Sequence, residues 1–136
     1  MPFHSRNDLL VRTKDGRNVV LQEPLEFYSE TGQLYRAPTG TTSDGASTPP
    51  ALWPTIPPFG SYWLAAILHD AAYRGVLEVK RGDDWVVAML SKDSADSLLL
   101  EAMLSLGVSE VERLAIYGGV HFGGSTAFNE DRKLNA

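Results

Sequence analysis

Residues 61–74 read SYWLAAILHDAAYR, an apolar stretch that carries a histidine and an aspartate, His69 and Asp70, near its end. Ser61 is a favourable N-cap residue and Gly75 a favourable C-terminal stop, so the sequence predicts a helix over this range. An imidazole and a carboxylate in such an apolar helix cost several kcal/mol unless both are paired. We therefore expect both side chains to have partners elsewhere in the fold.

The length and composition limit the number of domains, the partners and the kinds of site that this chain can have. A chain of 136 residues that is 43% hydrophobic can bury one core but hardly two, so we predict a single domain with flexible ends at 1–8 and 129–136. The net charge of -5 argues against a nucleic-acid partner. The absence of cysteine excludes disulfides and thiolate metal sites. No signal peptide and no transmembrane segment is expected, because no apolar run is long enough.

The N-terminal part predicts two antiparallel β-hairpins. Asp15-Gly16 separates the first two β-favouring runs, and a turn ending at Gly32 separates the next two. These runs cover residues 9–13, 17–21, 25–28 and 33–36. We expect the two hairpins to pack on the helical part of the chain.

A long proline-rich loop is predicted over residues 38–60. The segment contains six prolines, which exclude a long helix or a central strand. Such a loop is uncommon in a compact domain unless it has a function. Its Trp53, Ile56 and Phe59 indicate that it is held against the core.

Two further helices are predicted in the C-terminal half. One spans 92–106, with Ser91 as its cap and Gly107 as its end. The other begins at the capping box formed by Ser109 and Glu112. With the first helix they make about three helices packed as one layer, and the predicted fold class is α+β.

His69 is the natural candidate for a general base, because the pKa of an imidazole lies near neutrality. Asp70 is not expected to orient it, since adjacent residues on a helix point about 100° apart. Asp96, on the second predicted helix, is our candidate for the carboxylate that orients His69. The predicted catalytic pair is therefore His69 and Asp96.

A divalent cation is a possible cofactor. Asp70 together with Asp44, or with loop carbonyls of residues 41–46, offers the oxygen ligands that calcium prefers. Zinc is the alternative, with His69, His121 and one carboxylate as ligands. The spacing of these residues does not decide between the two ions.

Each candidate also has a structural interpretation. His69 and Asp70 can satisfy backbone groups of the proline-rich loop and hold it on the helix. Asp96 suits the early turns of its helix, and Asp44 suits an Asx turn. Ser47 lacks the strand-turn-helix context of a nucleophilic serine and is more simply a turn residue.

The order of these motifs resembles a family known as domain of unknown function 1353. The resemblance rests on TSDGASTP at 42–49, AAILHDAAY at 65–73 and the segment 95–103, and it extends from about residue 25 to 128. Family membership implies a phage or prophage protein, expected in the virion or the host cytoplasm. It further implies a tail or baseplate component with other virion proteins as partners. The recurring positions are Asp44, Ser47, His69, Asp70, Tyr73 and Asp96, and a basic residue is expected where the chain has His121.

The pentad HDAAY at 69–73 is also similar to the active-site helix of secreted phospholipases A2. That resemblance implies a histidine that activates water, an adjacent aspartate that binds calcium, and a later aspartate that orients the histidine. Here these would be His69, Asp70 and Asp96, although the chain lacks the cysteines of those enzymes. The resemblance implies an alternative function, a small metal-assisted hydrolase of the phospholipase or peptidase type that contacts lipid.

Overall fold

The computed structural model describes residues 11–13, 19–43 and 63–123, with side chains for 20–42 and 64–120. Within these ranges, antiparallel strands and three helices form an α+β fold, as predicted. The strands are β1 (Val11–Thr13), β2 (Val19–Leu21), β3 (Leu25–Tyr28), β4 (Leu34–Ala37), β5 (Thr42–Ser43), β6 (Glu78–Arg81) and β7 (Asp84–Val87). The helices are α1 (Trp63–Tyr73), α2 (Lys92–Ser105) and α3 (Glu110–Gly123).

A small sheet has the strand order β1-β2-β5. The antiparallel pairing of β1 with β2 confirms the first predicted hairpin, whose turn at 14–18 lies outside the described ranges. Strand β5 corrects the predicted loop over 38–60, because residues 42 and 43 pair with Val20 and Val19 of β2. No proline lies between 39 and 48, so nothing there removes a ladder hydrogen bond. The rest of the predicted loop lies outside the described ranges.

The larger sheet has the order β3-β4-β6-β7 and contains the second predicted hairpin, β3–β4. Its turn closes with a hydrogen bond from the Ser29 amide to the Gln33 carbonyl, and Gly32 has a φ of 88°. Leu25 and Phe27 alternate with more exposed neighbours and point into the core. This alternation is the period of a half-buried strand.

The hairpin β6–β7 was not anticipated from the sequence. Strand β6 pairs with both β4 and β7, and a two-residue loop of Gly82 and Asp83 joins it to β7. Gly82 has a φ of 63°, which a two-residue hairpin loop requires at its first position. A Gly-Asp pair between β-favouring runs is a recognised hairpin signal, so the sequence contained the information.

Two glycine substitutions are expected to change stability in opposite directions. Gly82→Ala should lower the free energy of unfolding by about 1–2 kcal/mol, because a β-carbon disfavours positive φ. Gly118→Ala should raise it by about 0.5–1 kcal/mol. Gly118 lies inside α3, and among the described residues no atom beyond its chain neighbours and the nearby backbone of α3 lies within 4 Å of an added β-carbon. Urea denaturation of both variants measures the two shifts, and a stabilised Gly82→Ala protein would contradict the turn.

The three helices pack in sequence, α1 against α2 and α2 against α3. The serine N-caps predicted for α2 and α3 are confirmed, because the amides of Ser94 and Glu112 donate to the hydroxyls of Ser91 and Ser109. Glu101 of α2 ties the helices to the larger sheet. Its carboxylate accepts the Ser29 hydroxyl at 3.0 Å and the Glu30 amide at 2.7 Å, both from the β3–β4 turn. None of the helices described here has the length and hydropathy needed to cross a membrane.

Candidate functional site

Helix α1 is the most deeply buried element of the described chain. Every residue from 65 to 73 is buried, including His69 and Asp70. Helix α1 packs against α2, and both helices carry small buried side chains, with Ala66 and Ala72 on α1 and Ala95 on α2 almost inaccessible to solvent. Small residues let two helices approach closely. A short side chain such as aspartate can reach a partner on another helix only when the helices are this close.

The predicted pairing of His69 with Asp96 is present. His69 Nε2 lies 2.8 Å from Asp96 Oδ1, and the side chains are 3% and 0% exposed. Because a carboxylate only accepts hydrogen bonds, Nε2 carries the proton, and in the neutral ring the lone pair is on Nδ1. The structure thus brings together the two residues of the predicted catalytic pair, from α1 and α2.

Tyr73 joins the same carboxylate. Its hydroxyl donates to Asp96 Oδ1 at 2.6 Å, and its ring centroid lies 4.1 Å from that of His69. His69 and Tyr73 are four residues apart on α1, so both face α2 from the same side of the helix. Two residues of the pentad therefore converge on one oxygen of Asp96.

Lys92 is a member of the cluster that sequence reasoning missed. Its Nζ donates to the second oxygen of the carboxylate, Asp96 Oδ2, at 2.8 Å. The spacing of four residues within α2 is a detectable signal for such a pair. We call the four side chains of His69, Tyr73, Lys92 and Asp96 the Asp96 cluster.

The hydrogen bonds of the cluster keep Asp96 ionised, and burial keeps His69 neutral. Burial alone would raise the pKa of Asp96, but hydrogen bonds from His69, Lys92 and Tyr73 outweigh burial and hold that pKa well below its ordinary value. Burial lowers the pKa of His69, and the hydrogen bond and charge of Asp96 offset that effect only in part. A neutral imidazole beside an ionised carboxylate is the state that a general base requires.

These two pKa directions predict that the protein loses stability in acid. In the unfolded chain His69 takes up a proton near pH 6.5, whereas in the folded protein it resists protonation. The free energy of unfolding should therefore fall as the pH drops through 6.5, and fall again near 3.8, where unfolded Asp96 takes up a proton. Urea denaturation between pH 8 and 3 measures both decreases. In His69→Gln the decrease in the free energy of unfolding near pH 6.5 should become smaller. An unchanged decrease in that variant would contradict its assignment to His69.

Removing the Tyr73 hydroxyl tests the second bond to Asp96. Tyr73→Phe should lower the free energy of unfolding by about 1–3 kcal/mol, because the hydrogen bond is buried and accepted by a charged group. Tyr28→Phe, at a side chain that is 44% exposed, is the control and should change stability by no more than about 0.5 kcal/mol. Equal shifts in the two variants would show that the Tyr73 bond contributes little.

Asp70 follows His69 directly on α1, and adjacent side chains on a helix point about 100° apart. It is 8% exposed and takes no part in the Asp96 cluster. Its predicted partner for a cation, Asp44, lies outside the described ranges. Where the chain is described, no three His, Asp or Glu side chains are grouped as a metal site. The calcium prediction for Asp70 and Asp44 therefore stays a prediction.

The remaining candidates fall where the structure gives no side chains. Ser47 lies outside the described ranges, and His121 is placed by its backbone in α3. The zinc prediction for His69 with His121 therefore stays a prediction. The chain just before residue 44 is held next to the C-terminal end of α1, because the guanidinium of Arg74, the residue after α1, donates to both the carbonyl and the hydroxyl of Thr42.

A cleft of about 330 Å³ lies between α2 and the β3–β4 hairpin. Its lining includes Ser29, Tyr35, Ser97 and Glu101 and contains no member of the Asp96 cluster. Much of this lining is exposed and polar, and Glu101 already bonds the hairpin turn. The cleft is therefore separate from the candidate catalytic pair.

Comparison with known proteins places the chain in a family. A family model described as "Protein of unknown function (DUF1353)" matches residues 19–120, which is more than half of the chain. No curated protein and no solved structure matches the chain. The matched range contains the whole Asp96 cluster. The chain thus belongs to the DUF1353 family of proteins of unknown function.

Proposed function

We propose that this protein is a small hydrolase in which His69 is the general base and Asp96 orients and stabilises it. The observation that carries the proposal is the buried carboxylate of Asp96, which takes hydrogen bonds from His69 and Tyr73 on the same oxygen. This arrangement leaves Nδ1 of His69 as a basic nitrogen of defined tautomer. It also matches the roles implied by the resemblance of the pentad to phospholipases A2.

In the proposed reaction, His69 Nδ1 takes a proton from a water molecule. The water oxygen attacks the carbonyl carbon of an ester and forms a tetrahedral intermediate. When the intermediate collapses, the bond from carbon to the leaving oxygen breaks, and the imidazolium returns its proton to that oxygen. Ionised Asp96 stabilises the transient positive charge of the imidazolium, as the carboxylate does in related base–carboxylate pairs.

The substrate class is a carboxylic ester, with acyl esters of phospholipids as the first choice and peptide amides as the second. This preference comes from the pentad's resemblance and not from a described pocket. Calcium bound by Asp70 would supply Lewis-acid assistance to the carbonyl, but none of the steps above uses it.

The test is turnover by the purified chain on phospholipid, short-chain ester and peptide substrates, each with added calcium and with a chelator. We expect ester hydrolysis, lowered by the chelator if Asp70 binds calcium. His4→Gln is the matched control and should keep full activity, because His4 lies outside the segment that the family model covers. Absence of turnover on every substrate under both conditions would contradict the proposal.

The second candidate function is structural, and the burial of the Asp96 cluster favours it. His69 is 2% exposed and Asp96 is fully buried, as expected for a polar junction that holds the proline-rich loop on the helices. In this proposal the chain is a virion-associated phage protein, a tail or baseplate accessory component. Mass spectrometry of purified particles of the encoding phage tests it. A fixed copy number supports a virion role, and absence from the particle contradicts it.

A further inference from the structure

Lys92 occupies a position that local helix energetics does not favour. It is the first residue of α2, where the helix dipole is positive and acidic residues such as the neighbouring Asp93 are preferred. A lysine four residues before an aspartate is also the weaker orientation of an ion pair on a helix. The reason for a lysine at this position must therefore lie in what it contacts.

The two carboxylate oxygens of Asp96 accept hydrogen bonds from different donors. Lys92 Nζ bonds Oδ2 at 2.8 Å, while His69 and Tyr73 both bond Oδ1. Rotation of the carboxylate about its Cβ–Cγ bond would move Oδ1 away from both donors on α1. The ammonium on Oδ2 opposes this rotation, and a lysine side chain that is only 16% exposed has little freedom to leave.

We infer that Lys92 is a positioning residue, which holds the Asp96 carboxylate so that His69 keeps its proton on Nε2 and its lone pair on Nδ1. The catalytic consequence of this inference rests on the proposed function. The orientation itself does not, because the proton on Nε2 can be observed without any substrate. Lys92 acts through Asp96 and does not touch the reacting atoms.

The experiment is nuclear magnetic resonance of the His69 ring in four proteins. In the wild-type chain we expect a slowly exchanging Nε2 proton, assigned by its loss in His69→Gln, and an Nδ1 nitrogen without a proton. Lys92→Met keeps the unbranched chain as far as the ε position and removes the ammonium group with its charge. In this variant we expect the Nε2 proton to exchange with water about tenfold faster or more, a change that corresponds to the loss of about one strong hydrogen bond. We also expect a fraction of the His69 rings to carry the proton on Nδ1.

Two further variants serve as rescue and control. Lys92→Arg keeps a cationic donor and should restore the wild-type spectrum. Lys80→Met removes an exposed lysine on β6 and should change nothing at His69. If Lys92→Met does not fold, Lys92→Gln, which also removes the charge but keeps a polar end, replaces it with the same expected direction.

The outcomes separate this inference from the proposed hydrolysis. A wild-type ring spectrum and exchange rate in Lys92→Met overturn the positioning role, whether or not the chain hydrolyses a substrate. A changed spectrum without any turnover in the wild type supports positioning and contradicts the proposed function. If the wild type is active, Lys92→Met should lower kcat about tenfold and leave KM unchanged, as expected for a group that acts only on the chemical step.

Discussion

Asp96→Ala is expected to lower the free energy of unfolding by about 3–5 kcal/mol, the largest stability change that we predict for a single substitution. The carboxylate is fully buried and accepts hydrogen bonds from three side chains. Alanine leaves the donors of His69 and Tyr73 buried and unsatisfied, at about 1–3 kcal/mol each. Lys92 is less affected, because its side chain is 16% exposed and its ammonium therefore keeps some contact with water.

Asp93→Ala is the matched control for this measurement. Asp93 is in the same helix but is exposed, so its loss should cost no more than about 1 kcal/mol through the helix dipole. Urea denaturation at pH 7.5 compares the two variants with the wild type. A cost below about 1 kcal/mol for Asp96→Ala would mean that the cluster is not a stabilising centre of the fold.

His69→Gln is expected to reduce hydrolysis about 100- to 10,000-fold, the range associated with loss of a general base. The glutamine amide can still donate to Asp96 Oδ1, so the carboxylate keeps a partner at that position. It offers no basic nitrogen, however, and cannot accept a proton from water. We therefore expect the free energy of unfolding to change by no more than about 2 kcal/mol at pH 7.5.

Parallel measurement of kcat/KM and of urea denaturation separates the two candidate functions. Loss of turnover with retained stability supports His69 as the base. Turnover that survives in His69→Gln assigns the chemistry to another group or to a contaminant and contradicts the hydrolase mechanism. Loss of folding in His69→Gln, together with an inactive wild type, favours the structural junction.

The approach of His69 to Asp96 could be predicted because two local arguments agreed. A polar pair in an apolar helix needs a partner, and helical geometry rules out the adjacent Asp70 as the group that orients the imidazole. Asp96 was then the candidate carboxylate on another predicted helix. The bond from Tyr73 to the same oxygen could not be predicted, because it depends on how far α1 is rotated about its axis where it meets α2.

Lys92 and the hairpin β6–β7 were missed for different reasons. The spacing of Lys92 and Asp96 was visible, but a lysine at a helix start is usually a solvated surface residue. The Gly82-Asp83 turn could also be seen in the sequence. The runs on either side of it are short and partly charged because one face of each strand is exposed, so they do not resemble typical β-strands. In both cases the local pattern was present in the sequence, but its role depends on a tertiary contact: that of Lys92 with Asp96, and that of β6 with β4.

The sequence by itself determined the elements that depend on neighbouring residues: the β3–β4 hairpin through its turn, the caps of α2 and α3, and the burial of α1 through its continuous apolar run. The tertiary structure decided the division of strands into two sheets and the pairing of β5 with β2. It also decided the convergence of Tyr73 and Lys92 on Asp96. The physical reason is that turns, caps and hydrophobic periodicity act over a few residues, whereas a buried carboxylate selects its donors by distances and rotations set when whole helices pack.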